Sequence, residues 1–134
     1  MKLFLIFVYS FFLPQSTTLE KQLTHLAGTN RVVVLYAPSQ ENAAYQLQKK
    51  WFAEVQNSLK ERDLLVIDCV GEQLPTADAL YLQRRFQCQA NQFGFWLIGK
   101  DGGLKLASSQ PVKPEQLFAI IDAMPMRRAE MNKN

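Results

Sequence analysis

The chain has little of what most reactive sites are built from. It has one histidine, His25, and two cysteines, Cys69 and Cys88, among 134 residues. A lone histidine with no partner at ligand spacing makes neither a metal centre nor a Ser-His-Asp arrangement. The cysteines form no Cys-x-x-Cys motif; they suit one structural disulfide in an oxidising compartment, two packed inert thiols, or a redox pair. Charge of one sign is scarce as well. Fifteen Lys and Arg against 12 Asp and Glu leave +3, and setting Lys2 aside leaves 14 against 12, or +2. That surplus is too small to mark a nucleic-acid or membrane-surface partner. No apolar run reaches the roughly 20 residues of a membrane-spanning helix. No internal repeat or low-complexity linker divides the chain, so its length suits one domain with one core. With 48% apolar and 20% charged residues, general disorder is excluded.

What is present begins with a leader. Lys2 supplies one positive charge, and Leu3 to Leu13 follows with only Tyr9 and Ser10 as polar breaks. Such a stretch has the length of a signal-peptide hydrophobic region, and Pro14 to Thr18 places a helix breaker and small residues where cleavage occurs. The expectation is a signal peptide over residues 1–16, a domain over 17–131 and a tail over 132–134. The mature protein is then periplasmic or extracellular, with no stable membrane span.

Beyond the leader, Leu19, Leu23 and Leu26 mark one face of a short helix that Gly28 can end in a left-handed C-cap. Arg31 to Ala37 is a β-branched run of the kind a central strand covered on both faces shows. Ser39 is placed to cap a long helix whose apolar face reads Ala44, Leu47, Trp51, Val55 and Leu59, with Trp51 as a core anchor. Leu64 to Val70 reads as a second buried strand, giving a right-handed βαβ unit. A helix follows from Pro75-Thr76 to Phe86. Phe93 to Gly99 and Leu104 to Ala107 are strands joined by a tight turn at Lys100-Asp101-Gly102-Gly103. A last helix opens at Pro114 and stops at Pro125, leaving a polar tail from Met126. This order predicts an α/β thioredoxin-like fold: a central mixed four-stranded sheet with helices on both faces.

That fold normally places a Cys-x-x-Cys where the first core strand meets the long helix, because the helix N-terminus lowers thiol pKa values. Here Ala37 to Asn42 holds no cysteine. Ala90 to Phe93, where the fold keeps a cis-proline, holds no proline. Ser39 lacks a base, since His25 has no orienting acid. No catalytic residue, metal or cofactor is therefore expected. Cys69 and Cys88 lie towards the same end of the sheet and are the candidates for a disulfide or redox role. Lys100, Lys105, Arg127 and Arg128 are candidates for anion or partner binding. The competing reading of these cations is a solvated turn and a tail suited to the macrodipole of the preceding helix.

The segments Leu97 to Leu106 and Ile120 to Met131, together with Arg62 to Ile67 and Tyr36 to Ser39, resemble the family designated domain of unknown function 4174. The resemblance covers roughly Leu19 to Met131. It implies a thioredoxin-like fold and export, since such domains occur as single exported bacterial proteins and within large extracellular proteins carrying sushi repeats or matrix association. It supplies no catalytic residues, and the small size here suits a periplasmic protein. The functional expectation is a non-catalytic binding or adaptor domain for an extracytoplasmic protein, cell-wall or glycan partner. The alternative is an atypical thiol-dependent redox or peroxide-handling protein using Cys69 and Cys88.

Overall fold

The structure is a computed structural model in which residues 18–133 are described; the expected signal peptide lies outside them. Strand β1 (Arg31–Ala37) is buried at every position, as its β-branched run predicts. It pairs in parallel with β2 (Leu64–Val70) from Arg31 opposite Leu64 to Ala37 opposite Val70. On its other side it pairs antiparallel with β3 (Gly94–Ile98), which in turn pairs antiparallel with β4 (Leu104–Ser108). The resulting sheet has the order β2-β1-β3-β4 and is mixed, as the element order predicts.

Alternation along β1 and β3 divides the core in two. Val33, Leu35, Phe95 and Leu97 meet Tyr45 and Phe52 of α2 (Ala43–Ala53), Leu59 of α3 (Gln56–Glu61), and Leu117 and Ile121 of α5 (Pro114–Asp122). Val32, Val34, Tyr36 and Trp96 meet Leu19 and Leu23 of α1 (Leu19–Leu26), and Leu82 and Phe86 of α4 (Thr76–Phe86). Phe86 stacks on Trp96 with ring centroids 5.3 Å apart. At the end of α1, Gly28 takes φ +90°, and its N–H donates to the Lys100 carbonyl at 2.7 Å.

Several elements differ from the expectation. The long helix is two helices, broken at Glu54 and Val55. Its cap is Asn42, whose side chain accepts from the Tyr45 N–H at 3.0 Å, and not Ser39. Its buried face is Tyr45, Gln48, Phe52 and Leu59, while Leu47 is 40% exposed and Trp51 only half-buried. The face turns because Gln48, fully buried, acts like a neighbouring strand. It donates to the Val112 carbonyl at 2.9 Å and accepts from the Val112 N–H at 2.7 Å. Strand β2 is an edge strand, so Leu65 and Asp68 face solvent. Pro125 does not end the ordered chain. It sits in the first turn of a further helix, α6 (Pro125–Asn132), where a missing N–H costs nothing.

Two outcomes follow from this packing. Gln48→Leu strands the Val112 N–H and carbonyl in the core, so urea unfolding should show a loss of about 2–4 kcal/mol at unchanged m-value. Undiminished stability would contradict the role given to Gln48. At Gly102 the turn holds φ +81°, and a Cβ there would approach only the Ala27 Cβ, 4.0 Å away. Gly102→Val should therefore lower stability through backbone strain alone, by about 1–2 kcal/mol in thermal melts.

Candidate functional site

Two polar regions stand at opposite ends of the sheet. The first lies where thioredoxin chemistry would be, at the C-terminal ends of β1 and β2. The Ala37–Asn42 loop feeds the N-terminus of α2 and contains no thiol. The Ala90–Phe93 loop is held by the Tyr36 hydroxyl, which donates to the Ala90 carbonyl at 2.8 Å. Gly71 lets this tyrosine in, since a Cβ there would meet its hydroxyl at 2.7 Å. Beside the start of α2, a cleft of about 550 Å³ opens along the edge strand, lined among others by Gln40, Tyr45, Asp68, Cys69 and Asp78. Asp68 is bridged by Lys49 at 2.8 Å. Burial first, and then the neighbouring Asp68 carboxylate, pushes the Tyr45 phenol up to about 12. Tyr45 is thus a neutral hydrogen-bonding group at any ordinary pH.

Cys69 and Cys88 are both free thiols, Cys69 buried and Cys88 half-buried in the layer beneath α4. Tyr36 pairs with Cys69 in the strand register and shares a cavity of about 230 Å³ with Cys88. Burial pushes the Cys69 thiol up to about 12, helped by Asp78 and Asp68, and burial alone pushes Cys88 up to about 11. At neutral pH this leaves on the order of one thiolate in ten thousand for Cys88, the reverse of an activated nucleophile. His25 is exposed in the last turn of α1.

The second region is a charged network at the other end, where β1 starts and β3 finishes. Arg31, 1% exposed, makes a two-pronged bond to Glu130 of α6, both contacts at 3.2 Å, and donates to the Arg62 carbonyl at 2.9 Å. Arg127, 3% exposed, reaches Asp122 at 3.1 Å and Glu61 at 3.0 Å. Arg62 grips the same Asp122 through two contacts of 3.0 and 2.9 Å and stacks on Phe118, 4.2 Å from its ring centre. Lys100 joins Glu130 and Asp63. Asp63 holds a left-handed backbone at φ +49°, a conformation that costs about 1–2 kcal/mol for such a residue and is held here by its bonds to Arg31 and Lys100.

The four cations that are candidates for anion or partner binding are placed in different surroundings. Lys100 and Arg127 are inside the network, Lys105 is paired with Asp101 at 2.8 Å, and Arg128 is exposed. Arg127 in particular is no solvated tail residue, because α6 folds back and buries it. Arg31, Arg62, Asp122 and Glu130 are absent from the sequence-derived candidates. The available signal was Pro125 as a helix start, with Arg127 and Glu130 three residues apart on one face.

The network makes a pH prediction. On Asp122 the Arg62 hydrogen bonds outweigh burial and, with Arg127, hold the carboxyl below its ordinary value. On Glu130 burial acts upward, but bonds from Lys100 and Arg31 overcome it and the value is lowered. Groups with lowered folded values add stability above their unfolded values and lose it as pH falls through the folded ones. Melting temperature should hold from pH 7 to about 5 and drop below about 4. Asp122→Asn should cost about 2 kcal/mol at pH 7 and flatten that drop, as the buried Arg127 and the partly buried Arg62 lose a shared carboxylate near the surface. A variant as acid-sensitive as the parent would contradict the assignment.

Residues 22–130 match the family described as Domain of unknown function (DUF4174). The chain is 29% identical to the sushi repeat-containing protein SRPX of Homo sapiens, over 75% of this chain and 24% of that protein, and equally so to its Rattus norvegicus counterpart. It thus spans about a quarter of the length of these relatives. Among solved structures it is similar to the reduced 2-Cys peroxiredoxin of Plasmodium vivax, with TM-score 0.62, 13% identity and coverage of 80% of this chain and 84% of that one. The Plasmodium falciparum mitochondrial 2-Cys peroxiredoxin gives TM-score 0.57 at 10% identity, covering 84% of each chain. At such identities the likeness is one of fold, and that fold is thioredoxin-like.

Proposed function

The chain belongs to the DUF4174 family, and from that premise and the geometry above we propose that it is a non-catalytic binding domain serving a partner outside the cytoplasm. The observation that carries this reading is the thiol-free N-terminus of α2 beside an open cleft of about 550 Å³. A redox enzyme of this fold needs a thiolate at that helix end, where free N–H groups and the dipole stabilise it. Here the helix end is capped by Asn42 and offers no nucleophile. The cleft instead presents Gln40, Gln73 and Asp78 on its walls, groups that can bond a partner's backbone. The edge of β2 runs along it, and an extended segment could pair there. The leader-like residues 1–16 support export; among the described residues, no helix is long and apolar enough to cross a membrane.

The alternative reading, thiol-dependent peroxide or disulfide chemistry at Cys69 and Cys88, has against it two thiols that burial keeps protonated. The test compares the parent with Cys69→Ser and Cys88→Ser in peroxide-consumption and disulfide-reduction assays at pH 7. All three should match the protein-free rate, and a photo-crosslinking residue at Gln73 should capture a partner from the native compartment that the same residue at Lys133 does not. A sulfenic acid trapped on either cysteine of the folded protein, with turnover lost in the serine variant, would overturn the binding reading.

A further inference from the structure

The two outer edges of the sheet differ. On β4 the pairing with β3 slips between Leu97 and Ile98, and Lys105 sits on the strand, features that blunt an edge against further pairing. On β2 neither appears: seven residues run in unbroken register with β1, without proline, lysine or bulge. The Arg31 N–H donates to the Asp63 carbonyl at 2.9 Å, with Arg31 opposite Leu64. Alternation from that bond turns the N–H and C=O groups of Leu65 and Ile67 towards β1, and those of Val66 and Asp68 outward. The outward groups have no backbone partner among the described residues. Next to them Leu65 is 43% exposed, a large apolar side chain left uncovered in a strand.

Resting on the binding role above, we propose that this edge receives an extended, cationic polypeptide segment as a fifth strand. A Lys or Arg of that segment stands opposite Asp68, with an apolar residue on either side of it. Charge selects the occupant. Among the described residues, Asp68 and Asp78 are the charged side chains lining the cleft along β2. Exposed Glu20, Glu41 and Glu72 adjoin lining residues in sequence, against Lys21 and the Lys49 that bridges Asp68. A chain of net charge +3 thus gathers carboxylates at this edge. The Lys49–Asp68 pair is itself exposed, 41% and 33%, so an incoming cation can share the carboxylate at little cost. A second copy of the chain would instead set these carboxylates against their own images, which disfavours self-pairing. Strand alternation gives the rest of the pattern. A residue opposite Asp68 lies on the face of Tyr45 and α2, whereas its neighbours lie opposite Ile67 and Cys69, on the face of Leu19 and Leu65. Backbone pairing then supplies affinity, and the alternate side chains supply selectivity.

The test titrates ¹⁵N-labelled protein with the capped pentapeptide Thr-Val-Lys-Val-Thr and follows the Val66 and Asp68 amides. Both should shift saturably and gain protection from hydrogen exchange. The same peptide with Glu in place of Lys should bind about tenfold more weakly, and Asp68→Asn should bring the two within about threefold of each other. Methylating the central Lys amide nitrogen removes a donor that faces β2 and should abolish the shift. Methylating either Val amide, which faces away, should retain it. Edge amides unmoved or drifting linearly, equal binding of the Lys and Glu peptides, or a shift that survives methylation at Lys would overturn the proposal. So would a doubled mass of the free protein with both amides already protected, which would assign the edge to a second copy. Capture of a partner at Gln73 while these amides stay unmoved would overturn strand addition alone, whereas cysteine-dependent turnover would overturn the binding role itself.

Discussion

The pair between Arg31 and Glu130 joins the first residue of the central strand to the last helix of the fold. An arginine 1% exposed cannot keep its charge in the interior without a carboxylate in a fixed place. Glu130 meets that need with two contacts of 3.2 Å, and α6 must then lie across the end of the sheet. From this placement the rest follows. Arg127 is carried inward to Asp122, Arg62 closes on the same carboxylate, and Lys100 is drawn between Glu130 and Asp63. The turn after β3 and the turn before β2 are thereby tied to one helix. A set of charges that would be weak at the surface becomes a fastening, because each partner is oriented by a second.

The opposite end of the sheet is built on another principle. Tyr36 and Gly71 order the loop that proline orders in thioredoxins, and Asn42 caps the helix that would otherwise activate a thiol. The scaffold keeps its architecture without the Cys-x-x-Cys, and the fold it shares with peroxiredoxins says nothing about their reaction. What remains at this end is shape: an edge strand, an open cleft, and polar groups without strongly activated members. These are the features on which the proposed binding role rests.

The sheet was legible in the sequence because strand runs are local. Val32, Val33 and Val34 could only be a covered strand, and Asp101-Gly102 could only be a turn. The αβ order and the mixed sheet followed from such runs. The absence of a Cys-x-x-Cys was equally legible, since a missing cysteine needs no structure to be seen. What escaped depended on distant partners. Gln48 reads as a surface glutamine until Val112, remote in sequence, supplies its two bonds. Arg127 reads as a cation trailing a helix until Glu61 and Asp122 surround it. Pro125 reads as a stop because proline ends helices more conspicuously than it begins them. The edge character of β2 was hidden because Leu65 is apolar yet 43% exposed. Three of the four segments that carry the family resemblance, Arg62 to Ile67, Leu97 to Leu106 and Ile120 to Met131, contribute Arg62, Asp63, Lys100, Asp122, Arg127 and Glu130 to the charged network.

The ionised state of that network is open to direct observation. Carboxyl ¹³C resonances of Glu130 and Asp122, followed by NMR from pH 7 downward, report each proton as it binds. Both groups should titrate below the ordinary values of 4.5 and 3.8, with Arg31 and Arg127 side-chain N–H signals shifting over the same range. Glu130 and Asp122 titrating at or above those ordinary values, with the arginine signals unmoved, would mean that α6 is not fastened to the sheet by these charges.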